Sequence, residues 1–304
     1  MDELLIRVTA EQVKMRLDLL LADYAEANNL GLSRTAIQKL IKEGKVFLNS
    51  KTQDKPHHKV SLGDDLQVII PDKEKTEFLP EEIVLDIVYE DDDLLVVNKQ
   101  SGLVVHPAPG NLKHTLVNAL LGRSIQLSDI NKNRPGIVHR LDKETSGLIV
   151  VAKNNSSHLK LAKQFAQHSI QRKYIAIVCG RVQFDEDVIE APIGRDPLRR
   201  KNMAISYLEN TKYAKTYYHT LKRGNAFSLL ELKPFTGRTH QLRVHLAHLG
   251  HPILGDTKYG KNKNFSRLAL HALEIGFRHP STNKLLHFKS EIPQEFQEFV
   301  KKNI

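Results

Sequence analysis

Two kinds of apolar spacing divide the N-terminal part of the chain. In residues 17 to 27, LDLLLADYAEA, the side chains of Leu17, Leu20, Leu21, Tyr24 and Ala25 recur at three- and four-residue intervals, which predicts a helix with one apolar face. Ser33 then stands as an N-cap for a second amphipathic stretch, RTAIQKLIKEG, ended by Gly44, since glycine accepts the left-handed backbone that closes a helix. After Gly44 the period falls to two. KVFLNSK reads as a strand running into an Asn49-Ser50 turn, and KVSLGDDLQVII as two further short strands broken at Gly63-Asp64. A helix pair with a small sheet makes a module of about sixty residues.

Residues 71 to 82, PDKEKTEFLPEE, have neither period and are mostly charged between Pro71 and Pro80, as a linker would be. We therefore expect a first domain over 1–72, a linker over 73–82 and a second domain over 83–304. In the second, IVLDIVYEDDDLLVVNK gives two strands around an acidic turn. The strands GLIVVAK, KYIAIVCG and FSLLELKPF follow, with helices such as HLKLAKQFAQH between them. The expected class is α+β, with a mixed, mainly antiparallel sheet flanked by helices and loops. Residues 195 to 215, RDPLRRKNMAISYLENTKYAK, are cationic and poor in apolar residues and read as an exposed basic loop.

Charge sharpens the picture. The chain of 304 residues carries 45 Lys and Arg against 35 Asp and Glu, a formal +10 that favours polyanionic partners, nucleic acid first. Arg16, Arg34, Lys39 and Lys42 fall on or beside the helix pair, where they could follow phosphates or merely form a solvated face. Cys179 is the single cysteine, which excludes an internal disulfide framework and suits a reducing compartment, the cytoplasm by default. The charged N-terminus lacks a signal-peptide core and no 18-residue apolar run occurs, so neither secretion nor a membrane span is expected. Without a heptad pattern, a monomer is expected.

Candidate chemistry begins at IVHRLDKETSGLIV, residues 137 to 150, where His139, Arg140, Asp142 and Lys143 interrupt apolar sequence. Asp142 follows the Pro135-Gly136 turn signal and precedes Thr145-Ser146-Gly147, so a loop is predicted. An enclosed carboxylate can act as nucleophile or general base if a cation keeps it ionised. Arg140, and from the distant GRTHQLRVHLAHLG stretch Arg238 and Arg243, are the candidate cations. On spacing alone, a turn cap or an ion pair is the more ordinary role for Asp142. GDTKYGKN at 255 to 262 has the frame of a phosphate loop but Asn262 in place of the Ser or Thr that holds magnesium. His240, His245, His248 and His251 lack metal-site spacing and are expected to be structural or RNA-facing.

Two resemblances then enter. RLDLLLA, LSRTAIQKLIKEGKVFLN and KPHHKVSLGDDLQV, in that order over about residues 15 to 70, resemble the S4 RNA-binding module. HRLDKETSGLIVVAK and GRTHQLRVHLAHLGHPILGDTKYG resemble the two long signatures of the RluA family of RNA pseudouridine synthases, and SGLVVHP, KYIAIVCG and LHALEIGFRHP are similar to its remaining motifs. One departure is Lys99-Gln100 where the family has Lys-Pro.

Carried over by position, the resemblance implies that Asp142 is the essential catalytic aspartate, Tyr174 the aromatic residue against the target base and Arg243 the partner of the aspartate. Leu270 would line the pocket. Arg140 would insert into the RNA or contact its phosphate, and Arg238, His240, Arg16, Arg34 and Lys39 would bind RNA. The implied reaction isomerises uridine without redox change, so no cofactor is expected. The S4-first layout resembles the branch acting on large-subunit ribosomal RNA, free or in a ribosome precursor, with transfer RNA the other candidate. A non-catalytic ribosome-assembly protein of the same fold, and a helix-turn-helix DNA regulator, are the readings from other classes; the latter lacks a dimerising partner domain.

Overall fold

The computed structural model describes residues 2–28, 30, 32, 34–70, 79–107, 111–199, 202–261 and 265–304, in two compact units divided between Thr76 and Glu77. Ser33, residues 73 to 78 of the expected linker, Arg200 and Lys201 of the basic stretch, and Asn262 lie outside the described residues. The rest of that expected linker is fastened to the second unit: Leu79 O accepts from Asn118 Nδ2 at 2.8 Å and Glu81 N donates to Asn118 O at 3.0 Å. Among the described residues no helix is long and apolar enough to cross a membrane.

The first unit runs β1 (Asp2–Arg7), α1 (Leu17–Ala27), α2 (Arg34–Lys42), β2 (Val46–Leu48), β3 (Lys51–Thr52) and β4 (Asp65–Ile70), with an antiparallel sheet in the order β1-β4-β2-β3. Leu17, Leu20 and Leu21 of α1 meet Ile37, Leu40 and Ile41 of α2 over this sheet. Asn49 and Ser50 both take positive φ in the β2–β3 turn. Two differences from the sequence reading have local causes. β1 was hidden because Leu5, 73% exposed, interrupts the alternation of Leu4, Ile6 and Val8. Residues 59 to 62, expected as a strand, form only an isolated bridge between Lys59 and Arg16, while Val60 is buried in the core.

The buried carboxylate of Asp18 accepts from Arg16 Nε at 3.0 Å, Arg34 Nη2 at 2.8 Å and Gln38 Nε2 at 2.7 Å. Of the arginines expected on RNA, Arg34 of α2 thus binds the α1 carboxylate across the helix pair, while Arg16 meets it from the N-terminal end of α1 itself. Lys39 is exposed beside Glu43, 3.5 Å away.

The second unit continues with β5 (Asp86–Glu90), β6 (Leu94–Lys99), α3 (Leu116–Gly122), β7 (Ser146–Ala152), α4 (Asn155–Ala166), β8 (Gln171–Cys179), β9 (Glu186–Glu190), β10 (Ile193–Arg195), β11 (Met203–Ile205), β12 (Lys215–Arg223), β13 (Phe227–Pro234), α5 (Gln241–His248), β14 (Leu270–Arg278), β15 (Leu285–Lys289) and α6 (Gln294–Asn303). The nine-stranded sheet has the order β5-β6-β7-β14-β8-β13-β12-β9, with β15 also on β14. It is antiparallel except where β7 meets β14. The α+β class and the mainly antiparallel mixed sheet are therefore as expected.

The unbroken apolar runs of β6 and β7 follow from burial on both faces. Leu95, Val97, Ile149 and Val151 enter the larger core with α3, while Leu94, Val96, Leu148 and Val150 enter a second one with Leu161 of α4. Gly147 has φ 108°, and a Cβ there would lie 2.2 Å from Ala272 O, so only glycine admits the close β7–β14 approach that follows the Asp142 loop. Within the expected basic loop at 195 to 215, Arg195 and Met203–Ile205 belong instead to a short hairpin, while residues 206 to 214 are irregular and mostly exposed. Met203 and Ile205 pack against the small cluster of Ile193, Ala214 and Val244. Its three-residue strands are too short to show a period.

Candidate active site

Asp142 lies in the loop entering β7, and the loop is fixed from several sides. Leu141 is buried in the larger core. His139 Nε2 accepts the amide of Val150 at 2.9 Å, and its ring stacks on Phe165 at 4.5 Å. From the other side, Gly102 N and Lys99 Nζ donate to Lys143 O at 2.9 and 3.1 Å, and Ser101 Oγ donates to Glu144 O at 2.7 Å. Lys99 also donates to the carbonyls of Gln100 and Leu103, both at 2.9 Å. Burial pushes this ammonium down to about 7, against the pull of Glu144 and Asp142. Three carbonyl acceptors match the three donors of the protonated form.

Arg243 reaches Asp142 from α5, 101 positions later: its Nη1 donates to Asp142 Oδ2 at 3.3 Å. The start of α5 is held by Gln241, which accepts from Thr236 Oγ1 and Arg238 N and donates to Lys215 O and Thr216 Oγ1. The rest of the guanidinium is occupied by Asp256, with Nε to Oδ2 and Nη2 to Oδ1 both 2.8 Å. This two-point pairing leaves Nη1 as the edge turned to Asp142. Burial alone would raise the Asp256 carboxyl, but the bonds and charge of Arg243 outweigh it and hold it below the usual carboxylate range. Burial would likewise depress Arg243, and Asp256 and Asp142 together raise it. Arg243 is 3% exposed and Asp142 15%, so a fixed cation faces a carboxylate that remains reachable.

His240 precedes α5 in the left-handed region, φ 55°, and its Nε2 lies 3.9 Å from Asp142 Oδ2. Burial depresses its pKa, although Asp142 pulls the other way. Tyr174 is buried on β8, where burial raises its phenol, so it stays protonated.

One cavity of about 480 Å³, within the usual range for ligand sites, is lined by Arg140, Asp142, Tyr174, Arg238, His240, Arg243 and Leu270. Arg140 is exposed at its rim and Leu270 buried in its wall. Arg238 donates through Nε to Tyr213 O at 2.9 Å. Arg16, Arg34 and Lys39 belong to the first unit. Of the other histidines, His245 bonds Thr216 Oγ1 and Ala191 O, and His251 bonds Cys179 O. The sequence reading missed Asp256, Tyr259 and Lys99. The first two lie in GDTKYG, read as a phosphate-loop frame and as the end of a family signature without a role for either residue, and Lys99 ends an apolar strand with nothing to mark its burial.

Comparison with known proteins matches residues 93–248 to the RNA pseudouridylate synthase family and residues 15–66 to the S4 domain. An uncharacterized RNA pseudouridine synthase of Bacillus subtilis is 43% identical over 99% of this chain and 98% of its own length. The ribosomal large subunit pseudouridine synthase D of Zymomonas mobilis is 44% identical over 96% of this chain and 95% of its own. Among solved structures, human RNA pseudouridylate synthase domain containing 1 has a TM-score of 0.59 at 28% identity, over 73% of this chain and 95% of that one.

Proposed function

Because the chain belongs to the RNA pseudouridine synthase family, we propose that it isomerises specific uridines of large-subunit ribosomal RNA to pseudouridine in the cytoplasm, with Asp142 as the essential carboxylate. The observation that carries the assignment is the Asp142 carboxylate held 3.3 Å from a buried arginine at the wall of an open cavity. The choice of ribosomal RNA is supported by the S4 match and by the names of relatives such as the Zymomonas mobilis protein.

The isomerisation breaks the N1–C1′ bond, turns the uracil and forms a C5–C1′ bond; the proton lost from C5 is balanced by one gained at N1. No atom enters or leaves, and no oxidant is needed. A carboxylate can begin this by attacking C1′ or C6, or by removing a sugar proton, and each route requires the anion. Arg243 favours that anion and fixes its direction. Tyr174 offers a protonated aromatic surface on which the detached base can rest without an acid or base competing for its protons. A uridine in a duplex cannot reach a concave site, so the target base leaves its stack, and the cations Arg140 and Arg238 at the cavity grip the strand.

The test is to map pseudouridine by base-specific chemical tagging in large-subunit ribosomal RNA treated with wild-type protein or with Asp142→Asn. New sites from wild type only, with RNA binding retained by the variant, are the expected result. An active variant would overturn the role of Asp142. Inactive wild type that still binds this RNA would overturn the substrate and make transfer RNA the next to try.

A further inference from the structure

Tyr259 performs none of the chemistry assigned above, yet several parts of the site meet on it. Its backbone amide donates to Asp256 Oδ1 at 3.1 Å, and its ring lies 5.3 Å from the guanidinium carbon of Arg243. Its hydroxyl oxygen accepts the amide of Met203 in β11 at 2.9 Å and lies 2.7 Å from His240 Nδ1. The other nitrogen of that imidazole is the one facing Asp142.

These contacts determine where the imidazole proton sits. With the Met203 N–H directed at one lone pair of the Tyr259 oxygen, the hydroxyl proton is free to be donated to His240 Nδ1. A neutral imidazole that accepts at Nδ1 carries its hydrogen on Nε2. Burial keeps His240 neutral. An N–H then faces Asp142 Oδ2, whereas the other tautomer would turn a lone pair toward the carboxylate. The 3.9 Å separation is long for a hydrogen bond, and such contacts tighten when substrate closes a site.

We propose that Tyr259 is a positioning residue that locks His240 in the Nε2–H tautomer, so that this N–H and Arg243 Nη1 together orient the Asp142 carboxylate for reaction. The proposal rests on the reading of Asp142 as the reacting group. His240, expected to contact RNA, thereby acts on the carboxylate itself. The amide of Met203 helps select the tautomer, which makes a seated β10–β11 hairpin part of the aligned site.

Two measurements on the full chain test this. Long-range proton–nitrogen spectra of protein labelled in histidine report the tautomer: Nε2–H for His240 in wild type, and a mixture or Nδ1–H in Tyr259→Phe. Single-turnover pseudouridine formation at saturating RNA should fall about 10- to 100-fold in Tyr259→Phe, the scale of a misplaced reacting group, with RNA affinity and thermal midpoint retained. His240→Gln places an amide N–H near the former Nε2 and has no tautomer to lock. It sets a lower baseline from which adding Tyr259→Phe should cost less than about 2-fold, because coupled residues are non-additive. A wild-type imidazole protonated on Nδ1, a Tyr259→Phe enzyme at full rate, or an undiminished Tyr259→Phe loss in the His240→Gln background would each overturn the positioning role. Should His240→Gln not fold, the spectra and the single variant still decide. Wild type with the Nε2–H tautomer but no product in either RNA would instead remove the reading of the reaction, and the positioning role with it.

Discussion

The direction in which Arg243 points is decided by a residue that takes no part in the proposed reaction. Asp256 is fully buried and grips two nitrogens of the guanidinium, so the third has one orientation left. Asp256→Asn keeps the shape but removes the charge that Arg243 was buried against. It should cost about 3 kcal/mol of stability, the low end for a broken buried pair because Asp142 remains as a partner. Urea unfolding measures that loss, and single-turnover rates should fall at least 10-fold through misdirection of Nη1. An unchanged midpoint and rate would show that Asp142 alone suffices to hold the arginine. The pH dependence has a definite sign. The folded carboxyl lies below its usual value, so its contribution is complete above the ordinary carboxylate range and is lost on acidification through the folded value.

At the scale of elements, α1 and α2 are joined by a carboxylate as well as by leucines. Asp18 sits on the otherwise apolar face, and the helical period gave no reason to place a charge there. Burial would raise its carboxyl, but the bonds from Gln38, Arg34 and Arg16 bring it from 3.8 to about 2. Stabilisation of the first unit is therefore full above pH 4 and falls away toward pH 2, by about 2 kcal/mol in all, from roughly 1.4 kcal/mol per pH unit. Circular dichroism of the acid transition should show this step in wild type and not in Asp18→Asn. Arg16 and Arg34, released in that variant, remain half exposed and free to meet phosphates. RNA affinity should then fall only as far as the helix pair loosens. A much larger loss at neutral pH, with folding intact, would mean that Asp18 aims these arginines at RNA.

For the whole molecule, each unit has its own apolar core, and the solved human relative covers 73% of this chain. Removing residues 1 to 70 should therefore leave a folded protein with weaker RNA affinity and a shallower dependence of that affinity on salt, since fewer phosphate contacts release fewer counterions on binding. Its single-turnover rate at saturating RNA should stay within about 3-fold of the full chain, because proximity within the bound complex is unaffected. A folded but inactive fragment would count against this division of labour.

Local sequence determined most elements: the amphipathic helices, the doubly buried strands β6 and β7 and the Asn49-Ser50 turn were written in residues a few positions apart. Asp142 and Arg243 stood out as candidates because the motifs carrying them are long, Tyr174 came from a shorter one, and the fold brings all three to one cavity. What tertiary structure alone decided depends on contacts between distant segments. Those contacts are the pairing of β1 with β4, the seating of β11 on Tyr259, the burial of Lys99 under the Asp142 loop and the grip of Asp256 on Arg243. Spacing along a chain records which residues share a face. Which buried charge meets which partner is settled only when burial removes water as the alternative, and that happens in the folded protein.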